Sequence, residues 1–71
     1  MTIRQLDIHS SAFKTATWYP RKQVLQVKFN NGDVWDYENV SEEEANALEA
    51  AESQGRYFRQ SIRTKGGRKL E

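Results

Sequence analysis

One turn constrains this chain more than any other feature. Val24-Leu25-Gln26-Val27-Lys28-Phe29 and Val34-Trp35-Asp36-Tyr37-Glu38 flank Asn30-Asn31-Gly32. The first run alternates, with Leu25, Val27 and Phe29 on one face and Gln26 and Lys28 on the other. Asn-Gly between two such runs is the strongest short-range signal for a β-hairpin. Upstream, Phe13 to Tyr19 is rich in β-branched and aromatic residues and predicts another strand. Pro20-Arg21-Lys22 predicts the turn after it, because proline fixes φ and removes a ladder donor. The three runs make a three-stranded antiparallel meander.

Two registers of the hairpin place Trp35 and Tyr37 differently. With a two-residue loop, Asn31-Gly32, Phe29 pairs with Val34 and Trp35 lies opposite Lys28. The two aromatics then form an exposed platform beside Lys28 and Gln26, of the kind on which unpaired bases stack. With a three-residue loop, Asn30-Asn31-Gly32, Gly32 takes the left-handed position of a bulged turn. Phe29 then pairs with Asp33, Val27 with Trp35 and Leu25 with Tyr37, and the large apolar groups gather in one core. Burial at roughly 1.5–3 kcal/mol per large side chain favours this second register. Trp18 and Tyr19 point to opposite faces of their strand. Tyr19, next to Pro20-Arg21-Lys22, is the better candidate for an exposed stacking residue.

Helix signals begin at Ser41. Ser41 and Glu44 have the spacing of a capping box. Glu42 and Glu43 add negative charge to the first turn, where the macrodipole favours it. At adjacent positions these glutamates diverge around the helix and do not converge on one ion. Ala45, Leu48 and Ala51 form a narrow apolar stripe, and Gly55 stands where a left-handed C-cap belongs. A second short helix, about Arg56 to Arg63, presents Phe58 and Ile62 one turn apart, with Ser53 as its cap. The order β-β-β-α-α has no crossover, so the class is α+β: a three-stranded antiparallel meander with two helices packed on one face. Residues 1–10 read as a flexible or loosely docked N-terminal arm with room for a short strand, and 11–63 as one domain. Residues 64–71 read as a disordered basic tail, with Leu70-Glu71 resembling a vector scar.

At 71 residues the chain has room for one small domain, which buries roughly 60% of its unfolded surface. It has no cysteine and a single histidine, His9, which leaves no disulfide, thiolate or histidine-cluster metal site. Apolar runs never exceed two residues, too short for a membrane span or a signal-peptide core. The expected location is therefore cytoplasmic, by default. No phosphate loop, dinucleotide fingerprint or nucleophile constellation is present, and the chain does not read as an enzyme. No cofactor, metal or small-molecule substrate is expected.

The formal net charge of +1 hides three blocks. Residues 1–32 carry five basic residues against Asp7. Residues 33–52 carry eight acidic residues and none basic. Residues 53–71 carry six basic residues against Glu71. Within the last block Arg56, Arg59 and Arg63 fall at i, i+3 and i+7, one stripe on a helix, which Lys65, Arg68 and Lys69 continue. Such a stripe is an electrostatic footprint for nucleic acid. It equally serves to balance the acidic first helix through surface ion pairs worth about 0–1 kcal/mol each.

Leu25-x-Val27-x-Phe29, Gly32, Trp35-Asp36-Tyr37 and Val40, followed after a helix by Ala51, Ser53, Gly55, Tyr57-Phe58 and Ile62-Arg63, form a pattern that resembles the KTSC domain. That module of about sixty residues is named for the C-terminus of some lysyl-tRNA synthetases. It also occurs as a stand-alone small protein in bacteria and phages. The resemblance covers about residues 10–63. Its central mark is an aromatic-x-aromatic pair, usually Tyr-x-Tyr; here Trp35 takes the first place and Tyr37 the second. It implies a fold and no established activity, with RNA binding suggested by the synthetase context.

The expectation is a small non-catalytic binding module for RNA. Arg56, Arg59, Arg63 and Lys65 would contact phosphates, with Lys28, Arg21 and Tyr19 assisting. The alternative is a protein-interaction or homo-oligomeric structural protein, in which the acidic helix of one copy meets basic segments of another.

Overall fold

The computed structural model describes residues 2–70. Strands β1 (Arg4–Gln5), β2 (Phe13–Tyr19), β3 (Val24–Phe29) and β4 (Val34–Tyr37) precede helices α1 (Glu42–Ala50) and α2 (Gln54–Tyr57). Helix α2 runs on through a π-helical turn (Phe58–Ile62) and a 3₁₀ turn (Arg63–Lys65) into a last strand, β5 (Gly67–Lys69). The sheet is antiparallel throughout, in the order β1-β2-β3-β4-β5. The α+β class and the two helices agree with expectation, but the sheet has five strands rather than three.

The central hairpin adopts the three-residue loop. Phe29 N–H donates to the Asp33 carbonyl at 2.9 Å, and Gly32 N–H donates to the Phe29 carbonyl at 3.0 Å. Gly32 takes φ +94°, a conformation that costs a side-chain-bearing residue free energy. Leu25 therefore pairs with Tyr37 and Val27 with Trp35. Tyr37 is buried, and Trp35 is half-buried against the core. Upstream, Trp18 is buried and donates its indole N–H to the Val40 carbonyl at 2.8 Å, while Tyr19 is half-buried on the opposite face.

The capping box on α1 forms in both directions. Glu44 N–H donates to Ser41 Oγ at 3.2 Å, and Ser41 N–H donates to Glu44 Oε1 at 3.0 Å. Ala45 and Leu48 carry the helix onto the sheet. Ser53 caps α2, accepting from Arg56 N–H at 3.3 Å. The expected left-handed cap at Gly55 does not form. Helix α1 ends at Ala51 in extended backbone, and Gly55 lies inside α2. A small residue is needed there for another reason: a Cβ at Gly55 would meet Ala12 Cβ at 3.1 Å and Ser10 Oγ at 3.2 Å.

The two extra strands come from the segments expected to be a flexible arm and a disordered tail. Met1 and Glu71, the outermost residues of those segments, lie outside the described residues. The arm docks because Leu6 enters the core and Ile8 packs beside it. Two side chains of the helical half then satisfy its backbone. Glu49 accepts from Asp7 N–H at 2.8 Å and pairs with Arg4 at 3.3 Å. Buried Gln54 accepts from His9 N–H at 2.6 Å and donates to the Asp7 and Glu49 carbonyls at 2.9 and 3.1 Å. The tail folds back through Gly66 at φ +80°, and Gly67 pairs with Tyr37. Neither strand has an apolar period of its own. Both are held by backbone pairing and by side chains distant in sequence.

Candidate functional site

Both helices lie on one face of the sheet. Where α2 and its π-turn pass over β4, a groove of about 450 Å³ stays open to solvent. Phe29, Trp35, Tyr37 and Phe58 supply its aromatic surface, Arg59 and Arg63 one wall, and Ala12, Gly55 and Gly67 the remainder.

The aromatic surface is built around Phe58. Its ring meets Tyr37 edge-on at 5.1 Å, Phe29 edge-on at 5.8 Å and Phe13 at a tilt at 5.4 Å between centroids, within the spacing such pairs prefer. Trp35 and Tyr37, two apart on β4, share one face and lie nearly parallel, 6.4 Å between centroids at an interplanar angle of 18°. Strand β5 lies beside β4 at the edge of the sheet, with Gly67 paired to Tyr37. A Cβ on Gly67 would fall on the Tyr37 ring, so glycine at this position lets the ring lie flat against the backbone. Burial pushes the Tyr37 hydroxyl pKa up, and the positive charge of Arg63 works against that rise.

The π-turn sets the arginines. Arg63 N–H reaches back five residues to the Phe58 carbonyl. Residues four apart stack on one side of such a wide turn, so Phe58 and Ile62 face the core while Arg59 and Arg63 together line the groove. Both arginines are exposed, and neither pairs with a carboxylate among the described residues. The result is a half-buried indole beside two guanidinium groups that no carboxylate of the described residues engages, suited to a planar group with an anion attached.

The other residues expected at a nucleic-acid surface lie elsewhere. Arg56 is exposed on α2 but does not line the groove. Lys65 is committed within the fold: its ammonium donates to the Asn39 carbonyl at 2.8 Å and pairs with Glu44 at 3.0 Å. Burial acts to raise the Glu44 pKa, but the Ser41 N–H and hydroxyl together with Lys65 outweigh it and hold the carboxyl below its ordinary value. Lys28 and Tyr19 point to the open face of the sheet, and Arg21 is exposed in the β2–β3 turn. The sequence stripe of Arg56, Arg59, Arg63 and Lys65 is thus reduced to Arg59 and Arg63, and the structure adds Trp35 beside them. Phe29, Phe58 and Gly67 were not anticipated as groove residues. The available signal was Gly66-Gly67, a break placed after a helix and before a short charged segment.

A second hollow, about 670 Å³, lies on the open face, where Lys22 and Arg68 stand against Asp36 and Glu38 around Tyr19 and Gln26. It is the larger of the two, but its charges are of both signs, and Gln26 already donates to Asp36 at 3.1 Å. It has no net attraction for an anion. Near the arm, His9 Nε2 lies 3.3 Å from Asp7, and both side chains are exposed. Among the described residues, no helix is long and apolar enough to cross a membrane.

The sequence pattern of the KTSC domain matches residues 9–65. An uncharacterised protein of Stutzerimonas stutzeri (strain A1501) is 34% identical over 58 residues, 82% of either chain. The crystal structure of a KTSC domain protein from Yersinia pestis superposes with a TM-score of 0.84 at 25% identity, covering 99% of this chain and 100% of that one.

Proposed function

The chain belongs to the KTSC domain family, and from its groove we propose that it is a non-catalytic module that binds single-stranded RNA. One observation carries the reading: a half-buried indole stands beside two guanidinium groups without carboxylate partners among the described residues, in a groove open to solvent. An unpaired base stacks on an aromatic ring whatever its identity, and its phosphate is met by arginine. A duplex presents no free base face to Trp35, so single strands are the favoured form.

The test is a titration of fluorescently labelled mixed-sequence RNA oligonucleotides at several salt concentrations. One or two phosphates held by the two arginines give a slope between about −0.7 and −1.4 in log K against log salt. The Arg59→Gln, Arg63→Gln double variant weakens binding by about tenfold or more and flattens that slope. Absence of salt-sensitive binding below about 100 μM contradicts the reading, because non-specific binding already reaches that range.

A protein-binding role is the competing reading, and the uncovered face of the sheet favours it. Ile3 beside β1 and Leu70 after β5 stand 58% and 43% exposed at its opposite edges. Light scattering at low salt and high concentration distinguishes the readings: concentration-dependent dimers support self-association through that face.

A further inference from the structure

We infer that the groove is a slot for one nucleotide, with one base on Trp35 and one phosphate between Arg59 and Arg63, and that it does not track a longer strand. The inference rests on the RNA-binding reading and narrows it. Three observations limit the site to a single unit.

The first is the supply of ring faces. Tyr37 and Phe58 are each only 4% exposed, and Phe29 is engaged with the Phe58 ring. Trp35 and Phe29 are the two half-buried rings of the groove, and Trp35 is the broader, so it is the principal stacking position.

The second is the supply of charge. Arg59 and Arg63 are the cations of the groove. Two basic residues beside it are tied to carboxylates, and Arg56, exposed on α2, does not line it. Lys65, beyond Arg63, is held by Glu44 and the Asn39 carbonyl. Lys69, opposite Trp35 across the β4–β5 ladder, lies 3.7 Å from Asp33. Lys28 and Tyr19 point to the far face of the sheet. A strand leaving the slot past Lys65 or Lys69 therefore finds no free basic track, whereas proteins that hold long single strands carry a continuous one.

The third is size. About 450 Å³ lies within the roughly 300–1,000 Å³ of sites for small molecules. It is room for one nucleoside phosphate, either free or as one unit of an RNA strand.

The experiment is a set of equilibrium titrations of the full chain at low salt with adenosine, adenosine 5′-monophosphate, and oligoadenylates of two, four and eight units. The slot predicts dissociation constants for the monophosphate and the octamer within about tenfold of each other, once the number of equivalent positions is allowed for. Adenosine binds roughly tenfold or more weakly than its monophosphate, because it lacks the group that the arginines hold. Arg59→Gln weakens monophosphate and octamer by the same factor. Arg59 is exposed, so its replacement leaves the fold intact.

Octamer binding with a monophosphate hundreds of times weaker overturns the slot and leaves the RNA reading standing. Monophosphate binding without octamer binding supports the slot and overturns the RNA reading in favour of a free nucleotide. Failure of both ligands overturns both. Equal binding of adenosine and its monophosphate removes the phosphate seat and with it the slot.

Discussion

Gln54 is the residue on which the N-terminal segment depends. Its side-chain amide sits among three backbone groups, His9 N–H and the carbonyls of Asp7 and Glu49. A buried polar group left without a partner costs about 1–3 kcal/mol. Gln54→Leu keeps much of the volume and removes all three bonds, so it should destabilise the fold by about 2–4 kcal/mol in urea unfolding. A loss below about 0.5 kcal/mol would show that the arm contributes little to stability. Gly67 is the corresponding residue at the other terminus. Gly67→Ala drives a methyl group into the Tyr37 ring and should cost about 1–3 kcal/mol, the range for overpacking. In a Tyr37→Leu background that cost should shrink, because the double-mutant cycle isolates the contact between them. Neither role is visible in the sequence. Gln54 lies 45 residues from its partner His9, and Gly67 acts on a ring that only the β4–β5 register brings over it.

At the scale of elements, the parts the sequence specifies locally are the legible ones. The Asn-Asn-Gly turn, the capping box at Ser41 and the Ser53 cap each depend on residues three or four apart. Burial was enough to choose the hairpin register, and that choice turned Trp35 and Tyr37 toward the helices. Strand β1 is legible only as one alternative for the arm and β5 not at all, since both bring few apolar side chains and are fixed by distant partners. Arg59 and Arg63 were legible as a basic pair, but their separation from Arg56 and Lys65 follows from the groove's position and from the tie between Lys65 and Glu44. That tie joins α1 to the 3₁₀ turn and has a pH signature. Glu44 has its pKa depressed in the fold, so the unfolded chain takes up the proton first as pH falls. Its contribution is present above the ordinary glutamate pKa and is lost as pH drops through the folded value. Glu44→Gln should therefore be less stable than the parent near neutral pH, with the gap closing in acid. A gap that stays constant with pH would mean that ionisation of Glu44 has no part in the tie.

Over the whole molecule, the charge blocks distribute among separate structural tasks. The acidic block caps α1 at Ser41 and holds Lys65 through Glu44, while Glu49 satisfies the N-terminal segment. The basic residues divide between the two faces of the sheet, and the net +1 is the remainder. On the helix-covered face two groove arginines are left without carboxylate partners among the described residues, beside the half-buried Trp35 ring. The most direct measurement is a two-dimensional amide and indole NMR titration of the full chain with octaadenylate. The account predicts that the Trp35 indole and the backbone of Arg59, Arg63 and Gly67 shift first and saturate together, while Tyr19, Val24 and Lys28 on the open face stay in place. Saturating shifts confined to the open face, with the Trp35 indole unmoved, would contradict it.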